Sequence, residues 1–463
     1  MPSPRRLRLT DDSVPTTLIF IVLSVFALLT PAQNDTFWHL RSGQYMWESR
    51  RLLTSELFSH TAYGTPLPDQ WWLSQVAFYG TYLAGGPLLL TVVAGGCAFL
   101  AVCLSYRLIR GPLEIRIGLL GFLAIATVAE WAVRPQVISL MLLMASAYFI
   151  QRGRIAWLPP LCVIWANAHA MVVLGVAMAV ACPLEAAIWS RHFFRRDLVI
   201  AIACALAPTV SSLGLHYWPY VLATVNTSRE LGLQEYRPSS DATAIPFWIA
   251  VAALVILTVR RRGELRTYPR EDRILLMAAV ILVAAAATAV RNIAFFSVIA
   301  APVLSRLWGA HRRVERVRPA KPVAYGLVAF AAAAAATGVA MKWQNPGALG
   351  WQPLSPSVVS AIRTCPDPMF NHFEDGGYLM WVLPEKKVFI DSRVDAYPFD
   401  LLRRSREADL FGDYRSLFRD HRIGCAVVRT GSPLDTALRR DNVESLYSDS
   451  SRTVFATHQE VVP

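Results

Sequence analysis

Apolar runs alternate with short polar clusters over most of the chain, at residues 15–31, 72–84, 87–106, 117–133, 136–150, 155–167, 170–189, 198–213, 245–259, 274–290, 293–307 and 323–341. Lipid offers backbone N–H and C=O groups no partner, so a spanning segment must be helical and needs roughly 20 mostly apolar residues. Several of these runs are shorter than that. The run 72–84 ends at Gly85-Gly86-Pro87 and reads as an interfacial helix leading into the next span. About eleven crossings remain. Past residue 341 the pattern changes. Residues 369–384 read as a short strand, a Gly-Gly turn and a helix, followed by a strand at 386–393; residues 425–430 predict another central strand, and 444–449 with 452–458 a hairpin across Asp-Ser-Ser. The expected fold is a polytopic α-helical membrane protein, residues 1–342 with outer loops 33–71 and 211–244, carrying a small soluble α/β domain at 343–463.

Composition agrees with that class. Of 463 residues 54% are hydrophobic and 17% charged, against about 25% charged in soluble domains. The net charge of +12 does not point to nucleic acid, because the basic residues punctuate apolar segments instead of gathering on one soluble face. Their placement sets an orientation. With the N-terminus cytoplasmic, the cytoplasmic segments, with Arg306 at a span's end, hold 23 Lys/Arg, and the short outer loops hold seven. The first run follows Arg5, Arg6 and Arg8 and has an apolar core of about 15 residues, so a cleaved signal peptide is the other reading; Asn34 emerges outside either way. Five cysteines lie in or beside apolar runs and read as small hydrophobes. Cys365 and Cys425 lie in the tail and are able to pair if that tail is in an oxidising compartment.

The candidate chemistry falls on the predicted outer side. The loop 34–71 mixes aromatic, acidic and histidine residues. Trp38, Trp47, Trp71 and Trp72 fit an interfacial aromatic belt, but Asp35, His39 and Glu48 do not need one. Asp35 and His39 are four apart and share a helix face. Asp35 suits a general base or a metal ligand, with helix capping as the structural alternative. Arg134 and Arg291 end apolar runs at the outer boundary, where a guanidinium needs an anion: a lipid phosphate, a pyrophosphate or a phospholipid headgroup. Asn167 and His169 sit in a tight connection, and Glu235, Arg237 and Asp241 in the long loop 211–244. Asp391, Arg393, Asp395 and Tyr397 follow an apolar strand, where α/β sheets bind ligands; an internal Asp/Arg network is the alternative. No Gly-rich phosphate loop, zinc ligand set, Gly-x-Ser-x-Gly elbow or HExxH occurs.

The stretches NDTFWHLRSGQ, FSHTAYGTP with WWLSQ, VRPQ, WANAH, QEYRPSSD, VRNIAFF and FNHFEDGGYLMW…VFIDSRVDAY resemble the C-type (GT-C) membrane glycosyltransferases. That group includes protein O-mannosyltransferases, aminoarabinose transferases and oligosaccharyltransferase catalytic subunits, and the likeness is to a bacterial branch of it. The resemblance implies an inner-membrane enzyme with an extracytoplasmic C-terminal domain. A polyprenyl-phosphate-linked sugar would be the donor, and a glycan, lipid or protein the acceptor. Asp35 takes the place of the loop carboxylate acting on the acceptor in an inverting displacement. Arg134 and Arg291 would meet the departing phosphate, with His39, Glu48, His169, Glu235, Arg237, Asp391 and Arg393 binding substrate. Relatives often carry a second acid just after the first. Here Thr36 and Phe37 follow, which argues against a required divalent metal; no nucleotide cofactor is expected. Two other classes fit the membrane pattern, a transporter or flippase for a lipid-linked substrate and a non-catalytic envelope scaffold. Inverted repeats and mid-span charges would favour transport, and the spans show neither clearly.

Overall fold

The computed structural model describes residues 14–309, 333 and 351–457; the run 323–341 and the leading arginines lie outside them. The chain is mostly helical and divides into two compact units. The first holds residues 14–30, 87–208 and 235–309. The second brings residues 31–86 and 209–234 together with 351–457, so the first polar loop and most of the second belong to the same body as the C-terminal segment, while residues 235–244 belong to the first unit.

The first unit is a bundle of apolar helices: Val14–Leu28, Leu113–Thr127, Gln136–Gln151, Leu158–Ala168, Val172–Ile188, Phe194–Leu206, Ile245–Arg261, Arg270–Thr288 and Ile293–Trp308, with the distal part of Trp72–Leu108. Large apolar side chains such as Ile125, Val199, Ile249 and Val255 are exposed on it. Such a surface needs an apolar solvent. Among the described residues three helical segments, Trp72–Leu108, Ala242–Arg261 and Val290–Trp308, are long and apolar enough to cross a membrane, or four if Arg191–Thr209 and Gly214–Glu230 count as one broken span. That is fewer than the eleven read from the pattern, because most of the others are short and Arg270–Thr288, with 19 residues, opens on four charged ones. Gln136–Gln151 has 16 residues, about 24 Å at 1.5 Å per residue, against a hydrocarbon thickness near 30 Å.

The helix Trp72–Leu108 is broken where the sequence suggested, at Gly85 (φ −158°, ψ 22°) and Gly86 (φ 63°, ψ −159°) before Pro87. Gly86 adopts a left-handed φ that a side chain would disfavour. One end of the first unit is closed by buried ion pairs. Glu185 accepts from Arg273 Nε at 2.8 Å and from Arg270 Nε at 3.0 Å. Asp272 pairs with Arg306 at 2.9 Å and accepts from Gln151 at 3.1 Å.

The second unit contains a four-stranded sheet of β1 (Met369–Asn371), β2 (Cys425–Arg429), β3 (Glu444–Ser448) and β4 (Arg452–Ala456), in the order β1-β2-β4-β3. β1 runs parallel to β2, and β4 is antiparallel to both β2 and β3. The Asp-Ser-Ser turn forms because Asp449 Oδ1 accepts from the backbone N–H of Ser451 and Arg452 at 2.7 and 2.9 Å. Cys365 and Cys425 form a disulfide with Cα atoms 5.6 Å apart, and the other five cysteines are free. The buried core gathers Phe370, Phe389, Phe418, Ala426 and Phe455 with Ala62 and Leu67 of the first polar loop.

Two expectations for this unit fail. Residues 386–393 make no strand. Val388 instead pairs through its backbone with the first loop, its N–H donating to Phe58 O and its carbonyl accepting from His60 N–H, each at 3.0 Å. Asn371 completes the replacement with its side chain, accepting from Phe389 N–H at 2.7 Å and donating to Ile390 O at 2.8 Å. Gly376 and Gly377, read as a turn, open the helix Gly376–Val382. A Cβ on Gly377 would stand 2.6 Å from Asn34 O, and one on Gly376 2.1 Å from Ile390 O. Both are glycines of close approach: Gly377 lets this helix ride on the start of Asn34–Ser49, and Gly376 lets it meet the backbone at 390–391. Gly377→Ala should therefore cost about 1–3 kcal/mol of stability through overpacking, read as a lowered melting temperature in detergent.

Candidate active site

Asp35 occupies the first turn of Asn34–Ser49. It is not the cap: Thr36 Oγ1 accepts from Gln33 N–H at 2.9 Å, and Asn34 Oδ1 accepts from Asp35 N–H at 2.9 Å. Its carboxylate faces the C-terminal segment. Oδ1 accepts from Trp38 Nε1 at 3.2 Å and from Ser392 Oγ at 2.5 Å, and Trp38 Nε1 also reaches Ser392 Oγ at 3.2 Å. A helix start, which favours negative charge, and two donors hold this group in one orientation.

His39 lies one turn further on and is buried. Its ring lies 3.5 Å from that of Trp38, and its Nδ1 is 3.3 Å from Gln75 Nε2. Glu48 is thirteen residues along the same helix from Asp35, about 20 Å by helical rise. It is exposed and accepts from Gln44 at 3.0 Å and from Tyr79 at 3.3 Å. Glu48 and Asp35 do not meet at one reacting atom.

Asp391 and Arg393 are walled in, 0% and 3% exposed. Asp391 Oδ1 accepts from the Arg393 backbone N–H at 2.9 Å and from its Nε at 2.8 Å, while Oδ2 accepts from Arg393 Nη2 and Tyr397 OH, both at 2.6 Å. The remaining arm, Arg393 Nη1, lies 2.8 Å from Glu56 Oε2. Glu56 Oε1 in turn accepts from the N–H groups of Phe58 and Ser59 at 2.8 Å. These two residues form an internal network that locks residues 391–397 to the first polar loop.

Beside that network Asp69 is buried. It accepts from Trp71 N–H at 2.8 Å and from Gln75 Nε2 at 3.3 Å. Asp395, hydrogen-bonded by Tyr220, lines the same small cavity. Burial, and then the nearby Asp395 charge, push the Asp69 carboxyl up to about 7 from 3.8, and burial raises Asp395 as well. Between those pH values the folded protein keeps a proton that the unfolded chain has released, so stability falls as pH rises from about 4 to about 7. The loss is roughly 4 kcal/mol. Asp69→Asn retains the acceptor oxygen for Trp71 N–H and removes this titration. The variant should melt higher than the parent at pH 8, with the gap closing by pH 4.

In the first unit a separate polar cluster forms. Glu235 bridges two guanidiniums, accepting from Arg291 Nη1 at 2.8 Å and from Arg134 Nη2 at 3.4 Å. Burial opposes ionisation of Glu235, but the two cations outweigh it and hold the carboxyl below its usual range. Arg134 Nη2 also donates to Gln136 Oε1 at 2.6 Å, and Gln136 Nε2 donates to Glu130. Arg237 is exposed and joins the cluster's frame only through its carbonyl, which accepts from Val290 N–H at 3.0 Å. His169 is buried, its Nδ1 2.8 Å from Ser139 Oγ, which Trp165 Nε1 also reaches at 2.8 Å.

Sequence reasoning passed over Glu56, Asp69, Glu130, Tyr220 and Ser392. Asp69 stands two residues before the WWLSQ stretch and Ser392 inside VFIDSRVDAY, and an acid or hydroxyl there was the available signal. Glu56, Glu130 and Tyr220 carried none. Among the described residues no group of three or more His, Cys, Asp or Glu side chains is placed to hold a metal ion.

A bundle of apolar helices and a polar unit built from loops and a C-terminal α/β segment is a fold shared with solved membrane-enzyme structures. The chain is similar in structure to the archaeal oligosaccharyltransferase AglB from Archaeoglobus fulgidus solved in complex with an inhibitory peptide and a dolichol-phosphate, with a TM-score of 0.53, 10% identity and coverage of 97% of this chain and 75% of that one. It is likewise similar to the apo form of the Archaeoglobus fulgidus oligosaccharyltransferase, with a TM-score of 0.57, 11% identity and coverage of 99% and 75%. No protein-family model and no curated protein matches the sequence.

Proposed function

We propose that this chain is a membrane glycosyltransferase that moves a sugar from a polyprenyl-phosphate-linked donor to an extracytoplasmic acceptor. The observation that carries the reading is Asp35, an acid at a helix start oriented by Trp38 and Ser392, in a chain with an oligosaccharyltransferase fold. Asp35 takes the proton of an acceptor hydroxyl as that oxygen attacks the anomeric carbon. The bond from that carbon to the phosphate oxygen breaks, the phosphate leaves with the electron pair, and the configuration inverts. In the first unit Arg134 and Arg291 both pair with Glu235, and in this reading these guanidiniums are the candidates for the anionic part of the donor. The chain crosses an inner membrane about eleven times with its N-terminus in the cytoplasm, and residues 343–463 form an extracytoplasmic domain. The Cys365–Cys425 disulfide supports that compartment. The test offers the reconstituted protein a panel of radiolabelled polyprenyl-phosphate sugars with envelope extract. Label should pass to an acceptor with wild type, and no transfer from any donor sinks the reading.

A further inference from the structure

A second concave site in the polar unit is not used by this chemistry. It is a cavity of about 240 Å³ lined by Arg41, Tyr45, Phe58, Met380 and the run Glu385-Lys386-Lys387, among others. Two of its charges are already matched: Glu385 pairs with Arg363 at 3.0 Å, and Lys386 Nζ lies 3.0 Å from Asp367 and donates to Cys365 O at 2.7 Å. Two others are not. Arg41 donates to the neutral amide of Gln44 at 2.8 Å and lies 5.6 Å over the Phe58 ring; its nearest influential acid, Glu48, is held by Gln44 and Tyr79. Lys387 Nζ sits 3.2 Å over the Tyr63 ring. Neither cation has a carboxylate in ion-pair contact among the described residues.

We propose that this cavity binds a phosphate monoester, with Arg41 and Lys387 as the recognising cations. A half-buried guanidinium without a counter-ion is costly, and burial already works against the charge on Arg41. An incoming anion removes that cost. Two unmatched cations suit a group carrying about −1.5 to −2 at neutral pH better than a single carboxylate. The Arg41 fork offers paired donors to phosphate oxygens, and Phe58 and Met380 supply an apolar wall that strengthens the attraction. The ester is carried either by a soluble metabolite or by a lipid headgroup of the phosphatidate type. The inference stands on these residues alone and does not require glycosyl transfer.

The full chain in phosphatidylcholine nanodiscs is titrated with glycerol 3-phosphate at low ionic strength by calorimetry. Binding should be saturable and should weaken tenfold or more in the Arg41→Gln/Lys387→Gln double variant. Lys387→Gln alone gives a measurable part of that loss even if the double variant folds poorly, because Lys387 is exposed and its ammonium lies over the Tyr63 ring. Arg440→Gln, an exposed charge in the same unit, should leave affinity unchanged. Doping the discs with phosphatidic acid separates the sources: competition with glycerol 3-phosphate identifies the lipid, and no competition identifies the soluble ester. The proposal is overturned if neither probe binds, if Arg440→Gln weakens binding as much as Lys387→Gln, or if acetate binds as tightly as the phosphate.

Discussion

Asp35→Asn is expected to lower sugar transfer by about 10²–10⁴-fold, the range for losing a positioned general base. The substitution is nearly isosteric, and its side-chain oxygen still accepts from Trp38 Nε1 and Ser392 Oγ, the two bonds that orient the native carboxylate. Packing of Asn34–Ser49 should therefore survive, and the melting temperature should stay within a few degrees of wild type. What is lost is the capacity to accept a proton. The defect should appear in kcat with donor KM nearly unchanged, since an interaction made only in the transition state is the one removed. Ser392→Ala gives the graded companion: it frees the carboxylate from one donor without removing it, so activity should fall less. Wild-type rates in Asp35→Asn would rule out this acid as the base.

Arg393→Met is expected to destabilise the polar unit by about 3–5 kcal/mol, the cost of breaking a buried charge pair by removing one partner. Arg393 is 3% exposed and lies between Asp391 and Glu56, both fully buried. Methionine fills much of the volume but satisfies neither carboxylate. The companion double variant Glu56→Gln/Arg393→Met strands one acid fewer, so it should be less destabilised than the two single effects added together. Thermal unfolding of Arg393→Met, Glu56→Gln and the double variant measures this. If Arg393→Met melts with wild type, the network does not hold the unit together.

The positions of the helices in the first unit, the break at Gly85-Gly86-Pro87 and the β3–β4 hairpin are legible in the sequence, because each depends on local hydropathy or turn chemistry. Asp35 was legible as a candidate for the same reason: an acid at the start of an amphipathic stretch outside an apolar run. Its partners were not. Ser392 lies 357 residues away, and nothing in either local pattern encodes that approach; it goes with Gly377 letting one helix ride on another and Gly376 letting that helix meet residues 390–391. The segment 386–393 shows the same limit. Its apolar run reads as a strand, yet the Asn371 side chain and the loop around Phe58 take its backbone bonds. Asp391 and Arg393, read by position as ligand-binding with an internal network as the alternative, pair with each other and with Glu56, a partner no local pattern supplies. Sequence alone determines which segments are apolar enough for helices and which residues are chemically capable. Tertiary structure decides which capable residues satisfy one another and which stay available, because that choice is made by distances between parts of the chain far apart in sequence.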